Sequence, residues 1–278
     1  MRRAQRDNEK APEGANCRTY LRAKSEDTFI VIAHPDDEAM FMGPTIRSVA
    51  SASDAGSLHV LCLSTGDFDG LGNVRRTELP AAAAALGASP ANVTVLDLPA
   101  FRDGPDEAWR PDAVGAAVWD HVRTRARPGA GVVLLTFDGA GVSGHPNHVS
   151  TYRGVVGLVR RRRRSDRVEG DEGGPEIRAY ALVTVSPWLK FIGPAEVAVG
   201  SVAGVLSGGI GRLLQFLLGR SRRPTPKQPL PRHLYFFRLN PLPVWCAMAA
   251  HASQFVWYRR LFIMFSRYTY VNTWREIE

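Results

Sequence analysis

The sequence predicts an α/β fold: a Rossmann-like, mostly parallel sheet with helices on both faces. Three observations lead there. Apolar, β-branched runs recur along the chain, segments of helical composition alternate with them, and polar clusters fall where the apolar runs stop. The 278 residues are 45% apolar and 22% charged, enough to bury a core and too apolar for wholesale disorder.

Residues 1–25 carry charges but no apolar core of the kind a signal peptide or membrane anchor needs. They read as a flexible N-terminal segment ahead of one domain over 26–278. Strands are expected at "TFIVIA" (28–33), "LHVLCLS" (58–64), "NVTVLDL" (92–98), "GVVLLTF" (131–137) and "IRAYALVTV" (177–185). Helical composition fills 38–52, 74–87 with its alanine run, 111–126 and 147–164. The polar, Gly- or Pro-rich segments 165–176 and 219–232 predict an exposed loop and a linker. The apolar stretch 191–219 carries Glu196, Arg212 and many glycines. A charge at the bilayer centre costs about 2.5–3.5 kcal/mol on insertion scales, so this stretch reads as a buried or interfacial helix rather than a span. The strand "HLYFFRL" and a long apolar-basic helix from Pro243 to Arg267 then predict a strand-helix appendage over 233–278, packed across the sheet edge.

A net charge of +8 favours an anionic partner: nucleic acid, an anionic membrane surface or a phosphorylated substrate. None of the standard nucleic-acid recognition motifs is present, so no nucleic-acid partner is expected. Cys17, Cys62 and Cys246 are odd in number and widely spaced, which fits neither a disulfide framework nor a zinc finger and points to a reducing compartment.

Ligands of open α/β sheets bind outside the carboxyl ends of the strands. "HPDDE", "TGDFDGLG", "PAFRDG" and "DGAGVSGHPNH" follow the first four expected strands, so all four converge on that edge. His34 and Asp37 stand three apart around Pro35, which fixes the turn, and His145 and His148 stand three apart after another strand. Two histidines and a carboxylate, with positions left open for water and substrate, make the donor pattern of a catalytic zinc, and the same set accepts iron, manganese or cobalt. Helix capping by Asp36, Asp37 or Asn147 accounts for the acids and the amide but needs no histidine. Glu38, at a helix start, reads as a capping or dipole-complementing residue.

"AHPDDE" with the later "GHPNH" resembles the LmbE-like zinc deacetylases, which remove N-acetyl groups from N-acetylglucosamine conjugates. "RRTEL" (75–79), "FRDG" (101–104) and "HASQ" (251–254) match further segments of that family, and the resemblance covers most of residues 28–272. "FDGAGVSGHPNH" and the ending "WYRRLFIMFSRYTYVN" resemble the branch that acts on N-acetylglucosaminyl-phosphatidylinositol in GPI-anchor synthesis.

The resemblance implies His34, Asp37 and His148 as ligands of Zn2+, with Asp36 as general base. It gives His145, as imidazolium, the task of stabilising the oxyanion or protonating the leaving amine. Arg75 would meet substrate phosphate, Asp103 a sugar hydroxyl, and His251 and Gln254 would sit near the site mouth. A glycolipid substrate follows, as does a place at the cytoplasmic face of the endoplasmic reticulum membrane. In place of the N-terminal anchor of animal members, the stretch 191–219, the arginine run 160–164 and "FVWYRRLFIMF" would supply peripheral attachment. Two other readings remain: a deacetylase of a soluble N-acetylglucosamine conjugate, and a non-catalytic phosphosugar or lipid binder that would have no use for Asp36.

Overall fold

The run Asp27–Ile32 forms strand β1 and is buried along its whole length, as befits a strand covered on both faces. On one side it pairs in parallel with β2 (Leu58–Cys62), which pairs in parallel with the short β3 (Val93–Val95). On the other side it pairs in parallel with β4 (Val132–Phe137), which pairs in parallel with β5 (Ile177–Leu182). Two further strands, β6 (His233–Phe237) and β7 (Val271–Glu276), complete a sheet of order β3-β2-β1-β4-β5-β7-β6, in which β7 runs antiparallel to both of its neighbours. The computed structural model describes residues 26–52, 57–168, 174–191, 193, 195 and 232–278. The expected N-terminal segment 1–25, most of the stretch 191–219 and nearly all of the linker 219–232 lie outside these residues.

The expected α/β class is therefore found, with a topological switch between β1 and β4, where the strand order reverses. The helices are α1 (Asp37–Phe41), α2 (Gly43–Ala50), α3 (Gly72–Ala85), α4 (Pro111–Arg125), α5 (Pro146–Val168), α6 (Leu242–Ala250) and α7 (Trp257–Phe265). The single helix expected over 38–52 is broken at Met42 because Pro44 has no N–H to continue the ladder and starts α2 instead. Gly43 at that break is a close approach: a Cβ there would lie 2.6 Å from Val244 Cγ2 of α6.

The larger difference lies at the C-terminus. The helix expected from Pro243 to Arg267 is two helices, separated where His251 turns inward and Ser253 bonds Glu78. The last residues form β7, a strand that the sequence reading did not anticipate. The segment 233–278 supplies two strands of the sheet itself. β7 is fastened from behind by buried bonds. Trp274 Nε1 donates to Thr45 Oγ1 at 2.9 Å, Thr45 Oγ1 donates to Asn272 Oδ1 at 2.7 Å, and Asn272 Nδ2 donates to the Phe41 carbonyl at 2.8 Å. These bonds tie β7 to the α1–α2 junction.

At the amino end of the sheet the His59 ring stacks on Phe29 with centroids 4.5 Å apart, and His121 meets the edge of Phe29 at 5.9 Å. Neither ring nitrogen of His59, nor Nε2 of His121, has a hydrogen-bond partner among the described residues. Burial, aided by the charges of Arg125 and Arg127, lowers the pKa of His59. Burial, with Arg125 and His59, pushes that of His121 down to about 4. Between pH 6.5 and about 4 the unfolded chain thus binds protons that the folded chain refuses, so stability present above pH 6.5 is lost as pH falls through this window. We expect the two histidines together to account for a measurable part of that loss. Urea unfolding at both ends of the window, compared between wild type and a His59→Phe/His121→Phe double variant, checks this. An equal pH dependence in the two proteins would refute it.

Candidate active site

The loop leaving β1 is shaped by carboxylates. Asp37 Oδ2 accepts the backbone N–H groups of Ala33 at 3.1 Å and His34 at 2.8 Å, closing the strand end, while Oδ1 lies 3.1 Å from His148 Nε2. Asp36 has φ 116°, a left-handed backbone that a non-glycine residue rarely adopts. It is held there from inside the protein. Glu38, fully buried, accepts the Asp36 N–H at 3.1 Å, and its other oxygen bonds His251 Nε2 at 2.6 Å. Glu38 thus does cap the helix start, as its position suggested. Arg75 donates to the carbonyls of Gly66 at 2.6 Å and Pro35 at 2.7 Å, and to Asp36 Oδ2 at 3.2 Å. Arg259, from α7, donates to the same oxygen.

The loop after β4 delivers the imidazoles. Gly141 takes φ 63°, and a Cβ there would lie 3.0 Å from that of His148, so glycine is needed for the turn that starts α5. Its carbonyl lies 2.9 Å from His148 Nδ1, which places a proton on that nitrogen and turns the Nε2 lone pair toward the site. The Asn147 N–H donates to His145 Nδ1 at 3.2 Å, so His145 carries its proton on Nε2. Ligand atoms of His34, His145 and His148 all lie within 4.8 Å of one another. His34 Nε2 also meets Asp103 Oδ1 at 3.0 Å and Asn147 Oδ1 at 2.9 Å. Three imidazoles flanked by buried carboxylates are a donor set that fits a divalent cation.

Charge is strongly organised here. Burial works against the charged form of His34, but the Asp103 hydrogen bond and the charge of Asp37 outweigh it and raise its pKa. Burial opposes ionisation of Asp37 as well, and His148 and His34 overcome it, holding this carboxyl well below the usual range. For Asp103 too, burial is outweighed by His34 and Arg75, so its pKa is lowered. His145 differs. Burial and the charges of His34 and His148 push it down to about 4, so it is neutral at pH 7. The imidazolium form expected for His145 is corrected to a neutral imidazole presenting Nε2–H.

These side chains form the floor of a pocket of about 890 Å³ whose outer part is apolar, with Phe68, Phe191, Tyr258, Leu261, Phe262 and Phe265 around it. His34, Asp36, Asp37, Arg75, Asp103, His145, His148 and Gln254 all line it. His251 does not: it is fully buried beneath the loop, where burial lowers its pKa but Glu38 outweighs burial and raises it. The expectation of His251 near the mouth is thus replaced by a place behind Asp36, because Glu38 needs a cationic partner away from water. Arg75 is buried as well, with its guanidinium spent on loop carbonyls and carboxylates. Sequence reasoning missed Arg259 at the site. Its signal is only a basic residue inside an aromatic helix, and no spacing rule links position 259 to position 36.

An open α/β sheet that gathers imidazoles and carboxylates at its switch point, inside a pocket large enough for a sugar, defines a metal-dependent hydrolase. The comparisons narrow the class. The family model described as "PIG-L: GlcNAc-PI de-N-acetylase" matches residues 29–159. The chain is 30% identical to the N-acetylglucosaminyl-phosphatidylinositol de-N-acetylase of Bos taurus over 246 residues, covering 88% of this chain and 81% of that protein. It is 36% identical to the 1D-myo-inositol 2-acetamido-2-deoxy-alpha-D-glucopyranoside deacetylase of Nakamurella multipartita, but over 46% of this chain and 53% of that protein. The zinc-inhibited form of teicoplanin deacetylase Orf2 shares the fold, at 13% identity and a TM-score of 0.50, covering 90% of this chain and 97% of that one. The chain belongs to the N-acetylglucosaminyl-phosphatidylinositol de-N-acetylase family, whose activity is deacetylation.

Within the β1 loop Asp37 faces His148 while Asp36 faces two guanidiniums, and variants test whether the two carboxylates have separate tasks. Asp36→Asn is expected to abolish turnover while leaving bound metal nearly intact, whereas His34→Ala and His148→Ala lose both. Metal content by atomic absorption beside initial rates is the measurement. Equal metal loss in all three variants would remove Asp36 from the role of base.

Proposed function

We propose that the protein removes the N-acetyl group from N-acetylglucosaminyl-phosphatidylinositol, giving glucosaminyl-phosphatidylinositol and acetate. The observation that carries this is a single pocket whose floor holds the imidazole-carboxylate cluster and whose outer part is apolar, fit for a sugar with a lipid attached. The match to the Bos taurus enzyme along 88% of the chain supports the lipid-linked substrate over a soluble glucosaminide, whose deacetylase matches 46%. The intact Asp36 supports an enzyme over a binder.

In the proposed site His34, Asp37 and His148 hold the ion, for which zinc is our assignment. The ion, when bound, supplies Lewis-acid polarisation of the acetamide carbonyl and lowers the pKa of water. Asp36 takes the proton from the attacking water. Among the described residues, the side-chain partners of Asp36 all bond Oδ2, so Oδ1 is the oxygen for that proton. The neutral His145 donates Nε2–H to the oxyanion of the tetrahedral intermediate, with Asn147 fixing the tautomer. As the C–N bond breaks, the proton held by Asp36 passes to the departing amine, and the acetyl carbon leaves as acetate. Gln254 and Asp103 line the pocket where sugar hydroxyls would bond, and Arg75 acts on substrate through Asp36 and Asp103.

We place the protein peripherally at the cytoplasmic face of the endoplasmic reticulum. Among the described residues, no helix is long and apolar enough to cross a membrane. Asn92 heads an Asn-Val-Thr sequon, and its Nδ2 is engaged, donating to the Leu58 carbonyl at 3.1 Å.

Two outcomes are expected. His145→Ala lowers kcat by about 10²–10³ with little change in metal affinity, the size of a lost oxyanion donor, measured as acetate release from the lipid-linked substrate. Loss of stoichiometric zinc would instead make His145 a ligand, completing the three-imidazole set. In sealed microsomes the catalytic domain is digested by external protease and carries no glycan on Asn92. A protected domain would place it in the lumen.

A further inference from the structure

Helix α7 has two unlike faces. Its inner face buries Ile263 and sends Arg259 to the Asp36 carboxylate, so the helix is pinned to the catalytic loop. Its outer face exposes Trp257, Leu261, Met264 and Phe265 at helical spacing, with Trp257 72% exposed. The neighbouring helical turn Pro187–Lys190 exposes Trp188 at 88%, and Phe191 just after it meets Phe262 of α7 with ring centroids 6.0 Å apart. The two elements therefore share one apolar surface. Phe191, Tyr258 and Leu261 of this surface also line the catalytic pocket, so the pocket opens within it.

We infer that α7 and the Pro187–Phe191 segment form the face by which the protein docks on an anionic phospholipid bilayer, seating the pocket mouth at headgroup level. The inference rests on the lipid-linked substrate proposed above and identifies where that substrate enters. Three observations select a bilayer as the occupant. A protein partner or a second copy covering the face would close the pocket mouth, whereas a bilayer is the phase in which a lipid-linked substrate resides. The exposed side chains include tryptophan and tyrosine, whose apolar rings and polar edges suit the interface between headgroups and acyl chains. A basic group is interleaved with them: the exposed Arg260 guanidinium lies over the Phe255 ring at 4.8 Å. Long basic side chains reach lipid phosphate while their stems stay on apolar surface.

Flotation of the full chain with phosphatidylcholine vesicles, with and without phosphatidylinositol, tests this, using a Trp188→Ser/Trp257→Ser/Met264→Ser variant. None of the three side chains lines the pocket, and all three are exposed. Wild type is expected to float with the phosphatidylinositol vesicles and to show a blue-shifted tryptophan emission, and the variant to lose about tenfold or more in partitioning. Deacetylation of vesicle-embedded substrate falls by a similar factor, while that of a water-soluble N-acetylglucosaminyl-inositol phosphate without acyl chains is unchanged. Equal flotation of variant and wild type overturns the inference, as does failure of wild type to float. A concentration-dependent dimer that the variant loses and vesicles do not compete would assign the face to a second copy and overturn it too. If wild type floats and the variant does not, yet neither substrate is turned over, the docking face stands and the proposed reaction falls.

Discussion

The buried carboxylate of Glu38 is the constraint on which the site depends. A carboxylate without water is unfavourable unless it is paired and fully bonded, and both oxygens of Glu38 are engaged, one by the Asp36 N–H and one by His251. Against the effect of burial, the charge and hydrogen bond of Glu38 raise the pKa of His251, so the pairing favours the charged form of this partner. That bond to the backbone keeps Asp36 in a left-handed conformation whose cost for a non-glycine residue is about 1–2 kcal/mol. The consequence is directional. With the backbone turned this way, adjacent carboxylates of one dipeptide serve separate ends, Asp37 facing His148 and Asp36 facing two guanidiniums.

The back of the site is built from the far end of the chain. His251 stands under the loop, Arg259 reaches its front, and Asn272 with Trp274 holds the helix break at Thr45 and Phe41. The histidine motifs alone would leave Asp36 without its brace and the pocket without its apolar wall. Most of the polar floor and most of the apolar surround thus come from different halves of the sequence, joined by buried hydrogen bonds rather than by proximity along the chain.

The parallel half of the fold was legible because β1, β2, β4 and β5 are short, predominantly apolar runs whose period cannot be mistaken for an exposed helix. The floor of the site was legible for a related reason: four polar clusters at four strand ends must share an edge. The C-terminal region was not. "FVWYRRLFIMFSRYTYVNTW" mixes aromatic and basic residues without a clear period, so the boundary between α7 and β7 was invisible. The alternation Asn272, Trp274 inward against Thr273, Arg275 outward is a strand signal, but Asn272 looks polar and its burial depends on partners more than 200 positions away. His251 was misplaced for the same reason, since nothing in "HASQ" shows that its partner is Glu38.

The position of β7 bears on how the molecule is made. Among the described residues β6 pairs only with β7, and β7 lies between it and β5. During synthesis residues 233–237 leave the ribosome before residues 271–276, so among the described strands they have no partner until β7 has emerged. The first five strands can assemble as they emerge, but closure of that edge waits for residues 271–276. A chain that stops before Val271 would therefore lose two strands rather than one, and would free the helix break at Thr45 with them. Premature termination in this region is thus a lesion of folding and of chemistry together, although every candidate ligand lies upstream of it.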